Sequence, residues 1–158
     1  MRCKRIGAGA ALAAGALAAT GLAFAPAALA VTPQTATINA DCGTFGSGTA
    51  TLTATQDGTA ATVTVKSSAI TAPIALGADS ISSTLTLVKA GGGTVTLTGK
   101  ENPAMAAGAP VEVGPLNGTV ASGDSLEAFG GSLKMTVFGI TITCTAAGPQ
   151  SPGPFVFD

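Results

Sequence analysis

"GGSLKMTVFGITITCT", residues 130–145, carries two alternating apolar sets of opposite phase. Leu133, Met135 and Val137 share one parity, while Ile140, Ile142 and Cys144 share the other. A period of two is what a half-buried strand requires, because successive side chains point to opposite faces of the sheet. The phase changes at Phe138-Gly139, so either a bulge lies there or the chain bends between two strands. In both cases the stretch reads as β and ends on an inward-facing cysteine.

The same pattern extends on both sides. "GTATLTAT" (48–55), "ATVTVK" (61–66), "STLTLV" (83–88) and "GTVTLTG" (93–99) alternate threonine with Ala, Val or Leu. Threonine supplies the wet face because it is polar yet β-branched, and so fits a pleated backbone. Between the runs lie turn signals. "QDGT" (56–59) and "AGGGT" (90–94) predict hairpins, "LNGT" (116–119) a further turn, and "ENPAMAAGAP" (101–110) a longer loop. No stretch after Ala30 repeats at the helical period with caps.

Seven to nine short strands, glycine-rich turns and almost no helix predict an all-β, antiparallel β-sandwich. A membrane barrel is the main competitor. It calls for strands of roughly 9–11 residues and aromatic girdles. These apolar runs are shorter, and the chain after Ala30 has no Tyr or Trp.

The first thirty residues read differently. Arg2, Lys4 and Arg5 precede a long apolar run, broken at Pro26 and closed by Ala28-Leu29-Ala30. These are the parts of a cleavable secretory signal, with cleavage expected after Ala30. Adjacent paired arginines are missing, and no cysteine stands right after the apolar run. A general secretory signal is therefore expected, with no membrane attachment after cleavage. The expected organisation is a signal peptide at 1–30, a β domain at 31–147 and a Pro/Gly-rich tail at 148–158. The closing Phe155-Val156-Phe157 would dock on the domain's own surface or on a partner.

Composition narrows the chemistry. Residues 31–158 contain four lysines, no arginine and eight acids, thinly spread. With so little positive charge to neutralise phosphates, no nucleic-acid partner is expected. Histidine is absent from the chain. That removes the commonest general base, the Ser–His and Cys–His pairs and the imidazole metal ligand, so neither a metal nor another cofactor is expected. Ser47 in "FGSGT" lacks the G-x-S-x-G elbow and reads as a turn residue. Glu101, Glu112, Asp124 and Glu127 are the carboxylates on which a secreted hydrolase would have to rely.

Cys3 falls within the expected signal, leaving Cys42 and Cys144. Two cysteines in an exported domain most often pair, and these flank "TATINADC" and "ITITC". A bridge closing a loop of roughly 100 residues contributes about 4–5 kcal/mol by loop entropy. That matters for a core with few rings.

Taken together, the first-strand Cys42, "TLTATQDGTAATVTV" (51–65), "GAPVEV" (108–113) and "ITCTAAGP" (142–149) resemble the small secreted two-cysteine, immunoglobulin-like domains of actinobacteria. These mostly lack an assigned function. The resemblance implies a secreted β domain and carries over no catalytic or ligand residue.

The expected function is a non-enzymatic extracellular or cell-surface binding or structural module, its partner a protein or a component of the cell envelope. Asn102, Pro103 and Met105 in the long loop are its candidate contacts. The competing expectations are a carboxylate enzyme and an inhibitor- or toxin-like protein binder.

Overall fold

The computed structural model describes residues 31–158. The signal-peptide reading lies outside these residues. Ten strands follow in order: β1 (Val31–Thr32), β2 (Thr35–Asp41), β3 (Ser47–Asp57), β4 (Ala60–Thr71), β5 (Ser82–Lys89), β6 (Thr94–Gly99), β7 (Pro110–Thr119), β8 (Ser125–Val137), β9 (Ile140–Ala146) and β10 (Phe155–Phe157). A single 3₁₀ turn, Gly43–Phe45, links β2 to β3.

The sandwich expectation is overturned. Strands pair in the ring β8-β5-β6-β7-β4-β3-β2-β9, and β9 also pairs with β8. Every pairing is antiparallel, so the molecule is a closed eight-stranded barrel. Alternation could not separate the two architectures, because a sandwich core and a barrel interior both demand one apolar face per strand. What decides is the edge. A sandwich leaves its outer strands open, whereas here β9 bonds on both sides and no edge remains in the ring.

Three strands are also longer than their apolar runs: β3 has 11 residues, β4 has 12 and β8 has 13. Strands of this length coil around a closed interior, helped by register shifts between β4 and β7 and between β5 and β8. Leu52, Val63, Leu87, Leu97, Val113, Leu116 and Leu126 fill that interior, each almost fully buried. Threonines such as Thr53 and Thr55 face outward. This is the reverse of the arrangement by which a barrel meets lipid.

The opening stretch is a hairpin. Phe138 and Gly139 form the two-residue turn between β8 and β9, with φ of 50° and 78°. The phase change is therefore a bend between strands. "LNGT", read as a turn, lies within β7 instead. Its glycine serves a close approach: a Cβ on Gly118 would sit 2.8 Å from Leu97 Cγ and 2.9 Å from the Thr96 carbonyl oxygen.

The two ends of the barrel are closed differently. At one pole the C-terminal segment runs along the gap left where β9 stops. Ala147 N–H donates to Asn39 O at 2.8 Å, and Ser151 exchanges backbone bonds with Thr37. β10 then pairs with β8 and β1, which sinks Phe155 and Phe157 into the core beside Val31.

Gln150, buried, fastens this path. Its Oε1 accepts from Ala128 N–H, its Nε2 donates to Gly153 O, and its own N–H donates to Glu127 Oε1. The other pole is ringed by residues 42–46, the loop 72–81, the loop 100–109 and the Phe138-Gly139 turn.

Candidate functional site

Cys42 and Cys144 are joined, 102 positions apart in sequence. Their place explains why the bond matters. β2 and β9 share only two register pairs, Ala40↔Ala146 and Asp41↔Thr145, against seven between β2 and β3. The disulfide is the next rung of that short ladder, so it clamps one of the two shortest seams of the ring, the other being the single β6–β7 pair Thr98↔Asn117. Both cysteines are buried and neither is a free thiol.

The bond also forms part of a wall. An outer cavity of about 120 Å³ opens at this pole, and its lining includes Ile74, Leu76, Ile81, Val137, Phe138 and Ile142. Behind it lies an inner cavity of about 40 Å³ within the barrel. Cys42, Ile70, Val111 and Met135 line both. Alanines at 40, 50, 128 and 146 border the inner space, where larger side chains would have filled it. An unfilled void of that size costs about 1 kcal/mol, a penalty that a close-packed core avoids. Neither cavity is lined by a charged residue.

Around the mouth the apolar surface is uncovered. Six large hydrophobic residues are exposed among those described, and four of them stand here. Phe138 is 70% exposed, Ile140 56%, Ile74 52% and Phe45 42%. Such clustering departs from the singly scattered hydrophobes of an ordinary surface. Phe138 is also held at positive φ, where a bulky L residue is disfavoured by about 1–2 kcal/mol. Turns of this kind ordinarily carry Asn or Gly at that position. The fold thus places an aromatic ring in solvent at the mouth against both hydrophobic and backbone preference.

The residues singled out in the long loop face inward in part. Asn102 is buried. Its Oδ1 accepts from Ser80 and Ile81 N–H at 2.8 and 2.9 Å, and its Nδ2 donates to the Gly77 and Pro103 carbonyls. Met105, also buried, exchanges backbone bonds with Leu76. Both tie loop 100–109 to loop 72–81, and Pro103 alone of the three is exposed.

The four carboxylates take separate partners. Glu101 is exposed, and Glu112 pairs with Lys66 at 3.0 Å. Glu127 accepts from Phe129 and Gln150 N–H. Asp124 accepts from Ala121 N–H and pairs with Lys89 at 2.9 Å. The backbone bond from Ala121, then the Lys89 bond, hold its carboxyl below the usual range. No cluster of three potential metal-ligating acids or cysteines occurs among the described residues.

The sequence pattern does not mark the rim. Ile140 shares the parity of the inward-facing Cys144 yet is exposed at the start of its strand, and Phe138 and Phe45 fall in turns. Ile74 lay in a stretch with no alternation to place it. No helix among the described residues is long and apolar enough to cross a membrane. No known protein family matches the chain, and neither the curated proteins nor the solved structures hold a match to it.

Proposed function

We propose that the chain is an exported, non-enzymatic binding module that acts through the open, apolar pole of its barrel. One observation carries this reading. Phe45, Ile74, Phe138 and Ile140 surround an uncharged cavity in solvent, and Phe138 is kept there at a conformational cost. Binding surfaces tolerate such local penalties because the geometry serves the ligand rather than the fold. Export agrees with the basic–apolar–small pattern of residues 1–30 and with a stability-bearing disulfide. The mouth offers contact surface and no acid–base pair, which favours uptake over catalysis.

The test uses residues 31–158 with the disulfide intact and 1-anilinonaphthalene-8-sulfonate, an anionic dye whose rings fluoresce against exposed apolar surface. The folded protein should enhance the dye's fluorescence at one saturable site. Phe138→Asn combined with Ile140→Ser should reduce that enhancement at least fivefold. Phe138→Asn alone should leave stability unchanged or raise it by about 1 kcal/mol, since Asn tolerates positive φ. An enhancement indifferent to these rim changes would sink the reading.

A further inference from the structure

β9 outruns the seam that closes the ring. Its register with β2 covers only Thr145 and Ala146, and beyond that rung β2 gives way to the turn Gly43–Phe45. Ile140–Thr143 project past the seam as one arm of the β8–β9 hairpin, bonded to β8 alone. Antiparallel partners alternate between pairs that exchange N–H···O bonds and pairs that do not. The two-residue turn makes its flanking residues, Val137 and Ile140, a bonded pair, so Ile142 and Cys144 also bond to β8. Thr141 and Thr143 therefore aim their backbone N–H and C=O away from β8. Ala147, of the same parity, shows the same direction: it donates to Asn39 O on the β2 side at 2.8 Å. Among the described residues no backbone bond from that side reaches Thr141 or Thr143, and both are exposed.

This overhang is also undefended. Strand edges are ordinarily blunted by charge, proline or a bulge. Ile140-Thr141-Ile142-Thr143 carries none of these and pairs with β8 in unbroken register. Its two isoleucines line the outer cavity, which is uncharged and about 120 Å³ in volume. A hydrocarbon-lined space of about 150 Å³ admits one benzene ring, so this cavity holds a single side chain of leucine size.

We infer that the mouth takes an extended segment of another protein, which adds a strand along Ile140–Thr143 and inserts one uncharged aliphatic side chain into the outer cavity. This rests on the reading of the open pole as the binding pole and names its partner. Main-chain bonds to Thr141 and Thr143 supply affinity, and the cavity supplies selection. Alternation links the two, because a partner residue opposite Ile142 points to the same side as Ile142, towards the cavity. The lining has no charge to offset a buried ionic group, so acidic and basic anchors are rejected. A second copy of the chain fits less well. Its own Ile140 and Ile142 already line its own cavity, so edge-to-edge pairing would leave both cavities unfilled.

The probe is the blocked peptide acetyl-Lys-Thr-Thr-Leu-Thr-Thr-Lys-amide, titrated into the disulfide-bonded protein and followed by NMR. Saturation should slow amide exchange at Thr141 and Thr143 at least tenfold and shift the Ile142 methyls, with Phe155 unmoved. Replacing the central leucine by aspartate should weaken binding at least tenfold. Methylating the amides along one side of the peptide should abolish binding, and methylating those along the other should change it less than threefold. Thr141→Pro removes an N–H from the open side and none that bonds to β8, and should weaken the peptide at least tenfold. Thr141→Val keeps the backbone and should change affinity less than twofold.

Leucine and aspartate peptides binding alike, equal losses from methylating either side, or saturation without protection of Thr141 would overturn the proposal. So would a dimer in sedimentation that Thr141→Pro abolishes, or binding of phosphatidylcholine vesicles in place of the peptide. If the peptide fails while the dye still reports the rim, the strand site falls and the open pole stands as the binding surface. Failure of both dye and peptide defeats both readings.

Discussion

The two poles of the barrel are made from the same alternating strands, yet they end in opposite ways. At one, a polar-fastened tail drives Phe155 and Phe157 inward beside Val31. At the other, a disulfide holds the seam while Phe138 and Ile140 are left facing water. Phe155 and Phe157 are buried where the chain closes on itself, and Phe45 and Phe138 are exposed where it does not. The contrast shows that the interior does not dictate how a barrel finishes. Strand ends and loops make that choice, and here they make it differently at each end.

Removing the disulfide is the largest way to disturb this contrast. Cys42→Ser with Cys144→Ser should cost about 4–5 kcal/mol, measured by denaturant unfolding against the oxidised protein. Hydrogen exchange should then quicken first at Asp41 and Thr145, beside the bond, and not at Phe155. Equal acceleration at both poles would mean that the seam has no local weakness.

Phe155→Ala strikes the opposite pole. The ring is fully buried, so a loss of about 3–5 kcal/mol is expected from thermal or denaturant unfolding. Ile140→Ala, at the open rim, should cost within about 0.5 kcal/mol, since an exposed side chain leaves no cavity. Similar losses at the two sites would erase the distinction between plug and mouth.

The smallest effect is acid dependence at the plugged pole. Asp124 has a carboxyl pKa lowered by Ala121 N–H and Lys89, so its contribution is present above the unfolded carboxylate value of roughly 3.9. That contribution disappears as pH falls through the lower, folded value. Asp124→Asn should therefore be less stable than wild type at pH 6, with the gap narrowing towards pH 2 in denaturant titrations. A gap constant with pH would remove the carboxylate from the account of this pole.

Much of the fold could be read from residues because burial acts on each strand locally. Threonine–apolar alternation located β2 to β6 and the β8–β9 pair, and the cysteine count anticipated the clamp. Closure escaped because it depends on β9 meeting β2 across roughly a hundred residues, a relation with no local periodicity. Asn117-Gly118 was misplaced for a related reason. Glycine serves turns and close strand approach alike, and only Leu97 on the neighbouring strand tells them apart. The candidate site was less legible still. Its rim is assembled from three separate segments, carrying Phe45, Ile74 and the Phe138–Ile140 turn, which no local periodicity links.

The pairing of Val31 with Phe157 has a practical bearing on how the molecule can be presented. The described chain starts and finishes side by side, at the pole opposite Phe138. Anything fused before Val31 or after Asp158 therefore leaves from the back of the barrel. A tether at either position, to a bead, a sensor chip or a larger protein, would hold the mouth outward and unobstructed.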